Sequence, residues 1–204
     1  MTTNDLQRLG GAAEADRRSR SAAAGLAARA ADARLLDVAL GVAASPVGDL
    51  LLAVTPRGLA CVAFESEDRD ELLARIAREL SPRILEAPAV TDAVRRELDD
   101  YFAGHLTRFD LRLDRRLMHP FAKQVLAATS RVPFGRLATY GEIAGRVGKP
   151  KAARAVGAAL GSNPIPIVVP CHRVVGAGGK LTGYAGGLDR KRLLLRLEGS
   201  LPAP

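Results

Sequence analysis

The 204-residue chain is poor in cysteine and histidine, with two Cys and three His. Cys61 and Cys171 lie far apart, whereas the disulfide framework of a secreted domain needs more cysteines. We therefore expect an intracellular protein in a reducing compartment. A structural zinc site needs about four Cys or His ligands in paired spacing, and His105, His119 and His172 are scattered. The sequence argues against a disulfide scaffold and against a zinc domain.

Long apolar runs are also lacking. No uncharged apolar run approaches the roughly 20 residues that are needed to cross a membrane, and the opening stretch MTTNDLQRLGGAAEADRRSR has no apolar core of a signal peptide. We expect a cytoplasmic protein with no membrane association. A chain of this length, 48% of it hydrophobic, can bury the core of one large domain or two small ones.

Acidic residues are scarce in the second half of the chain. Residues 1–115 contain 16 Lys/Arg and 19 Asp/Glu, a net charge of −3, whereas residues 116–204 contain 14 Lys/Arg and 3 Asp/Glu, a net charge of +11. A basic region with few acids attracts polyanions such as nucleic acid. An Arg-rich solvated surface has the same composition, so the charge alone leaves both interpretations open.

The first half is predicted to form a small α/β domain over residues 34–115. Residues 1–33, rich in Ala, Arg and Asp, are predicted to be a loose helix or a disordered lead. The short apolar segments LLDVALGVA, GDLLLAVTP and GLACVAFES, separated by turn residues, predict a three-stranded antiparallel meander. Residues 69–80 and 90–103 have the apolar spacing of amphipathic helices. Residues 106–114 alternate and predict a further strand.

The second half, residues 116–200, is predicted to be mostly helical. Helices are expected over residues 121–130, 140–147, 151–160 and 188–198, and Thr139 with Glu142 has the spacing of a capping box at the second helix. The turn at 148–150 makes the second and third helices a helix-turn-helix candidate, although many helix pairs only pack. Residues 167–169 are predicted to be a buried strand that leads into Pro170-Cys171-His172-Arg173.

Cys171 is the candidate nucleophile. A thiol attacks as the thiolate, and a neighbouring base or cation lowers its pKa. His172 follows directly, but adjacent side chains of an extended segment point to opposite faces, so we expect a water bridge rather than direct contact. Of the three acids in this half, Glu198 is chosen as the partner of His172. A buried structural cysteine beside a chance histidine remains the alternative. The stretch GAGGK at 176–180 lacks the spacing of a phosphate-binding loop.

Residues 132–198 resemble the O6-alkylguanine-DNA alkyltransferases, also called methylated-DNA–protein-cysteine methyltransferases. The resemblance runs through VPFGRLATYGEIA, GKPKAARAVGAALGSNPIPIVVPCHRVV and LTGYAGGLDRKRLLLRLEG. The motif PCHRV, in one order with RAVG, NP and GYAGG, is specific to this family. The upstream meander fits the N-terminal domain of the family.

The resemblance implies a fold and an activity. The fold is an α/β N-terminal domain with a small antiparallel sheet, RNase H-like, followed by a mostly α C-terminal domain with a winged-helix-like helix-turn-helix. The activity is direct-reversal DNA repair, in which one alkyl group passes irreversibly from O6-alkylguanine to Cys171 after minor-groove binding and nucleotide flipping. We expect no cofactor and no metal. The partner is double-stranded DNA that contains O6-alkylguanine, bound by a monomer, while action on O4-alkylthymine and cooperative binding are left open.

The resemblance also implies roles for single residues. Cys171 is the acceptor, His172 is the base that acts through water, and Glu198 holds His172. Asn163 braces the active-site loop, and Tyr140 protonates the departing guanine. Arg154 replaces the extruded base, and the remaining DNA contacts are expected from Thr139, Tyr140, Lys151, Ala152, Ala153 and Gly157. The guanine pocket is expected to comprise Pro166, Val174, Tyr184, Ala185 and Gly186, with the carbonyls of Cys171 and Val174 accepting from the guanine amino group.

The chain departs from the family pattern at a few points, the first being a lead over residues 1–33 that is longer than the minimal family needs. Ala185 stands where some members carry Ser or Arg, and the zinc ligands of some members are missing. Some inactive relatives carry Trp in place of the acceptor, but Cys171 is intact and the chain has no Trp. A lesion sensor that recruits other factors has no need of Cys171. A transcriptional regulator would need an added DNA-binding domain with metal-binding cysteines. A plain helix-turn-helix protein with an incidental Cys is the third alternative.

Overall fold

The computed structural model describes residues 36–202 and three isolated positions, Ala22, Gly25 and Arg29, so that the predicted lead over residues 1–33 otherwise lies outside the described residues. The first half is built on four strands: β1 (Val38–Ala43), β2 (Leu50–Thr55), β3 (Gly58–Phe64) and β4 (Ile84–Glu86). Their order in the sheet is β3-β2-β1-β4.

The predicted meander is confirmed, because β1 pairs with β2 and β2 with β3 in antiparallel fashion. The parallel pairing of β4 with β1 was not predicted, and it makes the sheet mixed rather than antiparallel. The β2–β3 hairpin turns through Pro56 and Arg57. Gly58 completes this turn with φ +127°, and a Cβ there would collide with the carbonyl group of Arg112. A glycine is needed at that position for both reasons.

A helix covers each face of the sheet. Helix α1 (Arg69–Glu79) begins after Asp68, whose side chain accepts hydrogen bonds from two first-turn N–H groups, as an N-cap should. Its buried residues pack against β1 and β3 on one face. Helix α2 (Pro88–Phe102) lies on the other face and contributes the fully buried Tyr101. Both helices were predicted, and their ends agree within two residues.

The strand predicted over residues 106–114 is wrong. Within the described part of the chain, one isolated bridge joins this segment to the sheet, between Leu59 and Leu113. The physical reason is that the free edge of β3 is already occupied further along, where the N–H of Val62 donates to the carbonyl oxygen of Pro164 at 2.8 Å. The alternating segment therefore has no continuous edge to pair with, while the loop after Pro164 is anchored to the first half.

Up to residue 202, where the described part ends, the second half contains four α-helices: α3 (Pro120–Thr129), α4 (Tyr140–Arg146), α5 (Ala153–Gly161) and α6 (Leu188–Leu197). The short strands β5 (Ala138–Thr139) and β6 (Val174–Val175) pair in parallel. The capping box predicted for Thr139 and Glu142 is confirmed, with both reciprocal hydrogen bonds present. Helix α5 begins two residues later than predicted, and Glu198 is the residue that follows α6.

The buried strand predicted over residues 167–169 is also wrong. This segment forms turns, and the N–H of Val169 donates to the carbonyl oxygen of Ile165 at 2.9 Å. Ile167 has φ +72°, which extended backbone does not adopt. Proline has no N–H and cannot donate to a strand ladder, and this stretch contains Pro164, Pro166 and Pro170. The loop enters a short 3-10 helix, Cys171–Arg173, instead.

The two halves share one hydrophobic core. Leu50 and Leu52 of β2 pack in the same cluster as Leu126 of α3, Val174 of β6 and Leu194 of α6. The predicted division into residues 34–115 and 116–200 stays a prediction. Because the core is continuous, the sheet and α2 support the loop that carries Cys171.

Candidate active site

Cys171 opens the 3-10 helix and is 6% exposed. Its Sγ accepts a hydrogen bond from Nδ2 of Asn163 at 3.2 Å. Burial raises the pKa of the Cys171 thiol, although this hydrogen bond and the charge of Lys191 act in the opposite direction. The thiol is therefore neutral at rest, and a base has to remove its proton before it can act as a nucleophile.

The side chain of Asn163 stabilises the loop that leads into Cys171 by hydrogen bonds to the loop backbone. Its Nδ2 also donates to the carbonyl oxygen of Val169 at 3.0 Å, and its Oδ1 accepts from the N–H of Ile165 at 3.0 Å. One buried amide thus satisfies two backbone groups of a proline-rich turn and contacts the thiol. Without it the turn would bury unpaired polar groups, each costing about 1–3 kcal/mol.

His172 points to a buried carboxylate. Its Nε2 lies 2.8 Å from Oε1 of Glu198, and both side chains are fully buried. The other ring nitrogen, Nδ1, is buried and has no hydrogen-bond partner among the described residues. Because Cys171 and His172 lie on a 3-10 helix, the extended geometry assumed from the sequence is wrong, yet no direct hydrogen bond joins these two side chains within residues 36–202.

Glu198 accepts four hydrogen bonds. Besides His172, it accepts from the hydroxyl group of Tyr101 at 2.7 Å and from Nε and Nη2 of Arg173 at 2.8 and 2.9 Å. Arg173 also donates to the carbonyl oxygen of Val132 at 2.7 Å. Neither Tyr101 nor Arg173 was predicted from the sequence to belong to this site. The second basic residue of PCHRV could have pointed to Arg173, but no sequence signal links Tyr101 to this site.

The ionisation of this cluster is set by its contacts. Burial would raise the pKa of Glu198, but the hydrogen bonds from His172 and Arg173 outweigh it and lower the pKa to about 2. Burial lowers the pKa of His172 below its ordinary value, even though Glu198 acts to raise it. The resting cluster is thus a neutral imidazole beside a carboxylate whose charge Arg173 balances. A neutral imidazole is a competent proton acceptor.

Lys191 is a further buried charged residue, and it was not predicted from the sequence. Its Nζ donates to the carbonyl oxygen of Val174 at 2.6 Å and to that of Thr182 at 3.4 Å. Burial lowers the pKa of this ammonium group, while the nearby Cys171 acts to raise it. The carbonyl group of Val174, predicted to bind guanine, therefore already accepts one hydrogen bond.

A cavity of about 400 Å³ opens beside Cys171. Five of the predicted site residues line it, namely Tyr140, Gly157, Cys171, Tyr184 and Ala185, together with the unpredicted Leu160, Gly161, Thr182 and Gly183. The remaining predicted pocket residues, Pro166, Val174 and Gly186, are buried and do not line this cavity. The hydroxyl group of Thr182 donates to the Tyr140 oxygen at 2.9 Å, so the two residues meet at the rim.

A larger cavity, of about 960 Å³, lies between residues 107–115 and 130–134. Its lining includes apolar side chains together with Arg108, Arg115 and Arg131. Arg173 belongs both to this cavity and to the cluster around Glu198. Since no thiol of the described residues lines it, the smaller cavity is the candidate for chemistry.

The predicted helix-turn-helix is formed by α4 and α5. Lys151 and Arg154 are exposed at the start of α5, and Ala152 and Ala153 are half-buried there. Thr139 caps α4, and a Cβ added at Gly157 would lie 3.7 Å from the ring of Tyr140. This helix pair therefore joins an exposed basic end to the rim of the cavity.

In residues 36–202 no group of three or more His, Cys, Asp or Glu side chains lies close enough to hold a metal ion. None of the described helices is long and apolar enough to cross a membrane.

Comparison with known proteins identifies the family. Residues 38–115 match the family model of the ribonuclease-like domain of 6-O-methylguanine DNA methyltransferase, and residues 120–200 match its DNA binding domain. A methylated-DNA–protein-cysteine methyltransferase of Methanosarcina acetivorans is 46% identical over 156 residues, which cover 76% of this chain and 95% of that protein. One of Mycolicibacterium paratuberculosis is 60% identical over 102 residues, or 50% of this chain and 61% of that protein.

The fold agrees as well. The crystal structure of Mycobacterium tuberculosis OGT in complex with DNA superimposes with a TM-score of 0.70 at 42% identity, and it covers 80% of this chain and 94% of that one. The two-part fold predicted from the resemblance is confirmed. The chain belongs to the 6-O-methylguanine DNA methyltransferase family.

Proposed function

We propose that this protein repairs alkylated DNA by transferring one alkyl group from O6 of guanine to Sγ of Cys171. The observation that carries the proposal is the position of Cys171, which borders a cavity of about 400 Å³ and is followed directly by a buried His172–Glu198 pair. A cavity of this volume is within the range of small-molecule sites. No feature of the described residues favours a lesion sensor, which would need neither the thiol nor the base.

Activation starts from a neutral thiol and a neutral imidazole. Since Nε2 of His172 faces the carboxylate of Glu198 at 2.8 Å, it carries the ring proton, and Nδ1 carries the lone pair. We propose that the proton of Cys171 reaches Nδ1 through a water molecule. Glu198 then stabilises the imidazolium that forms, in the way a buried carboxylate orients and charges a catalytic histidine.

The transfer itself is an in-line displacement. The thiolate attacks the alkyl carbon, the S–C bond forms, and the C–O6 bond breaks with its electron pair left on guanine. We propose that Tyr140 supplies the compensating proton. Its oxygen accepts a hydrogen bond from Thr182, and its own O–H remains available to donate. The product on Cys171 is a thioether without a leaving group, so each molecule acts once.

DNA is engaged through α4 and α5. O6 of a stacked guanine is out of reach of a thiol in a pocket, so the nucleotide has to be extruded, at a cost of a few kcal/mol. We propose that Arg154 fills the gap, while the small side chains of Ala152, Ala153 and Gly157 allow close approach to the minor groove. That groove has a degenerate hydrogen-bond code, so binding should depend on salt much more than on sequence.

The extruded guanine is proposed to lie against Tyr184 and the backbone of Ala185 and Gly186. The carbonyl groups of Cys171 and Val174 would accept hydrogen bonds from its amino group. The Val174 oxygen would use its second lone pair, because it already accepts from Lys191. The protein acts as a monomer inside the cell on O6-alkylguanine in duplex DNA, and O4-alkylthymine is the second lesion to assay.

The two cysteines provide the test. After incubation with O6-methylguanine duplex, mass spectrometry should find one methyl group, on the peptide that contains Cys171. Cys171→Ser should abolish transfer, and Cys61→Ser, which changes a buried thiol of the first half, should leave it intact. Methyl found on Cys61, transfer by Cys171→Ser, or repeated turnover would each refute the proposal.

A further inference from the structure

The wall of the cavity beside Cys171 is tied to the first half of the chain through one arginine. Arg190 lies on the first turn of α6. Its Nε donates to the carbonyl oxygen of Val47 at 2.6 Å, and Nη1 donates to the hydroxyl group of Ser66 at 3.1 Å. Nη2 forms an ion pair with Glu65 at 3.1 Å. All three partners lie in the β1–β2 turn or just after β3.

The same guanidinium also reaches back to the cavity wall. Nη1 of Arg190 donates to the carbonyl oxygen of Gly186 at 3.1 Å. Gly186 follows directly on the lining residues Thr182–Ala185. One side chain therefore bridges the cavity wall to two loops of the first half.

Phe64, the last residue of β3, fills the space between these parts. The guanidinium of Arg190 lies 5.1 Å from the centre of its ring, and the ring of Tyr184 meets it edge to face at 5.9 Å. A Cβ added at Gly186 would lie 2.7 Å from the Phe64 ring, so the wall backbone rests directly on it. Phe64 therefore contacts both Arg190 and Tyr184, through a cation–π contact and an edge-to-face contact.

We infer that Arg190 and Phe64 are positioning residues for alkyl transfer, because they hold the wall formed by Thr182–Gly186 at a fixed distance from Cys171. The inference rests on the proposed transfer to Cys171 and adds a role for the first half in it. Neither residue borders the cavity, so neither would contact the guanine. Their effect passes through Tyr184 and Gly186, whose placement decides where the guanine lies relative to Sγ.

Helix α6 offers a matched control in Arg192. That side chain is 43% exposed and pairs with Asp189 of its own helix, whereas the Arg190 side chain is 21% exposed and pairs outside the helix. Arg190→Ala and Arg192→Ala remove the same charge from the same helix. A difference between them therefore reports the bridge and not the overall attraction for DNA.

The experiment measures transfer to the full-length protein from free O6-benzylguanine and from an O6-methylguanine duplex, with the affinity for undamaged duplex measured separately. Arg190→Ala should be slowed on both substrates by about tenfold or more, since a misplacement of 1 Å can cost about a hundredfold. Its affinity for undamaged duplex should equal that of Arg192→Ala. Arg190→Lys, which keeps the charge and one donor, should recover part of the rate.

A second control separates an effect of Arg190→Ala on the position of the cavity wall from an effect on the stability of the fold. Leu72→Ala weakens the packing of α1 on the far face of the sheet, where Leu72 is buried away from the cavity. At a temperature where both variants are folded, Arg190→Ala should be slow and Leu72→Ala should react at the wild-type rate. Equal rates for Arg190→Ala and Arg192→Ala, or equal slowing by Leu72→Ala, would overturn the inference. An inactive wild-type protein would instead refute the proposed function.

Discussion

Cys61 and Cys171 are both free and buried, but their surroundings differ. Cys61 lies on β3, 2% exposed, among apolar side chains between the sheet and α1. Burial raises its pKa to about 12. Burial also raises the pKa of Cys171, so neither thiol is ionised at neutral pH. Burial alone therefore does not distinguish a reactive cysteine from a structural one.

The difference lies in what surrounds each sulfur. Cys171 borders a cavity, accepts a hydrogen bond from Asn163 and is followed by a histidine paired with Glu198. The charged groups that act on Cys61 are Arg75 and Glu67, and no histidine of the described residues acts on it. A nucleophile here needs a base and a space for the substrate. Changes around Cys171 should therefore alter the transfer rate, and changes around Cys61 should alter only stability.

The largest effect should come from removing the base. His172→Ala should slow methyl transfer at pH 7 by about 10²–10⁴-fold, the usual contribution of general base catalysis. Its rate should then rise steadily with pH, because the thiol ionises unaided only as the pH approaches its raised pKa. The measurement is the single-turnover rate between pH 5.5 and 9.

The wild-type profile should differ in shape. Because the pKa of His172 is lowered from 6.5, the imidazole stays neutral and the rate stays flat down to about pH 6.5, falling only below. Circular dichroism at each pH controls for unfolding. Identical profiles for the two proteins would mean that Cys171 differs from Cys61 only in its access to substrate.

The next effect should depend on the substrate. Arg154→Ala should slow repair of a duplex by about a hundredfold, because unstacking of a few kcal/mol is left uncompensated. Reaction with free O6-benzylguanine, which needs no extrusion, should be nearly unchanged. Arg154→Leu should keep part of the duplex activity through its bulk, and Lys151→Ala is the control for loss of one exposed positive charge near the start of the same helix. If Arg154→Ala is slowed equally on both substrates, Arg154 supports the pocket and not extrusion.

A smaller effect is expected at Asn163. Asn163→Ala should slow transfer from both substrates by about tenfold and destabilise the fold by about 2–6 kcal/mol, because two buried backbone groups each lose a partner. Asn163→Asp keeps the acceptor for the N–H of Ile165 but places a negative charge near Sγ, so it should react more slowly than the alanine variant. Thermal melts and transfer rates give the two quantities. A faster aspartate variant would show that the contact with Sγ has no kinetic role.

The smallest effect on rate is expected at Tyr101. Tyr101→Phe removes one of the four hydrogen bonds to Glu198 and should cost about 1 kcal/mol, with a rate change of only about twofold to threefold. The stabilisation from Glu198 is present above its unfolded pKa of about 4.5 and is lost as the pH falls toward 2. Loss of a donor raises the folded pKa, so acid unfolding should begin at higher pH.

The test for Tyr101 is an acid titration followed by circular dichroism. In a Glu198→Gln background the same substitution should have less effect, because the two residues act together. Additive losses in the double variant would show that the hydroxyl group of Tyr101 does not act through Glu198.

Much of the site could be predicted because it is nearly contiguous in the sequence. Cys171 and His172 are neighbours, and Glu198 is one of only three acids in the second half. Tyr101 is 97 positions from Glu198, and its role depends on how α2 packs against the shared core. Most arginines are exposed, so the sequence gives no reason to place Arg173 inside the protein. Its burial is explained by the two hydrogen bonds that it donates to the buried carboxylate of Glu198.

The wrong predictions about the fold have a similar origin. Helices were predicted well because their spacing is local, as in α1 and α2. The alternation of residues 106–114 is real, but a strand also needs a free edge, and Pro164 occupies that of β3. The short β4 has only three residues, too few to show a period. Pairing between distant segments is what a single sequence does not reveal.

The protonated state of Cys171 matters before any lesion is met. A thiolate attacks peroxide and other oxidants, so the rate at which a cysteine is oxidised depends on its ionisation and exposure. Oxidation of that sulfur would inactivate a protein that can accept only one alkyl group. Because the thiol is 6% exposed and neutral at rest, oxidants should react with it slowly, and the capacity of the protein to accept one alkyl group is preserved.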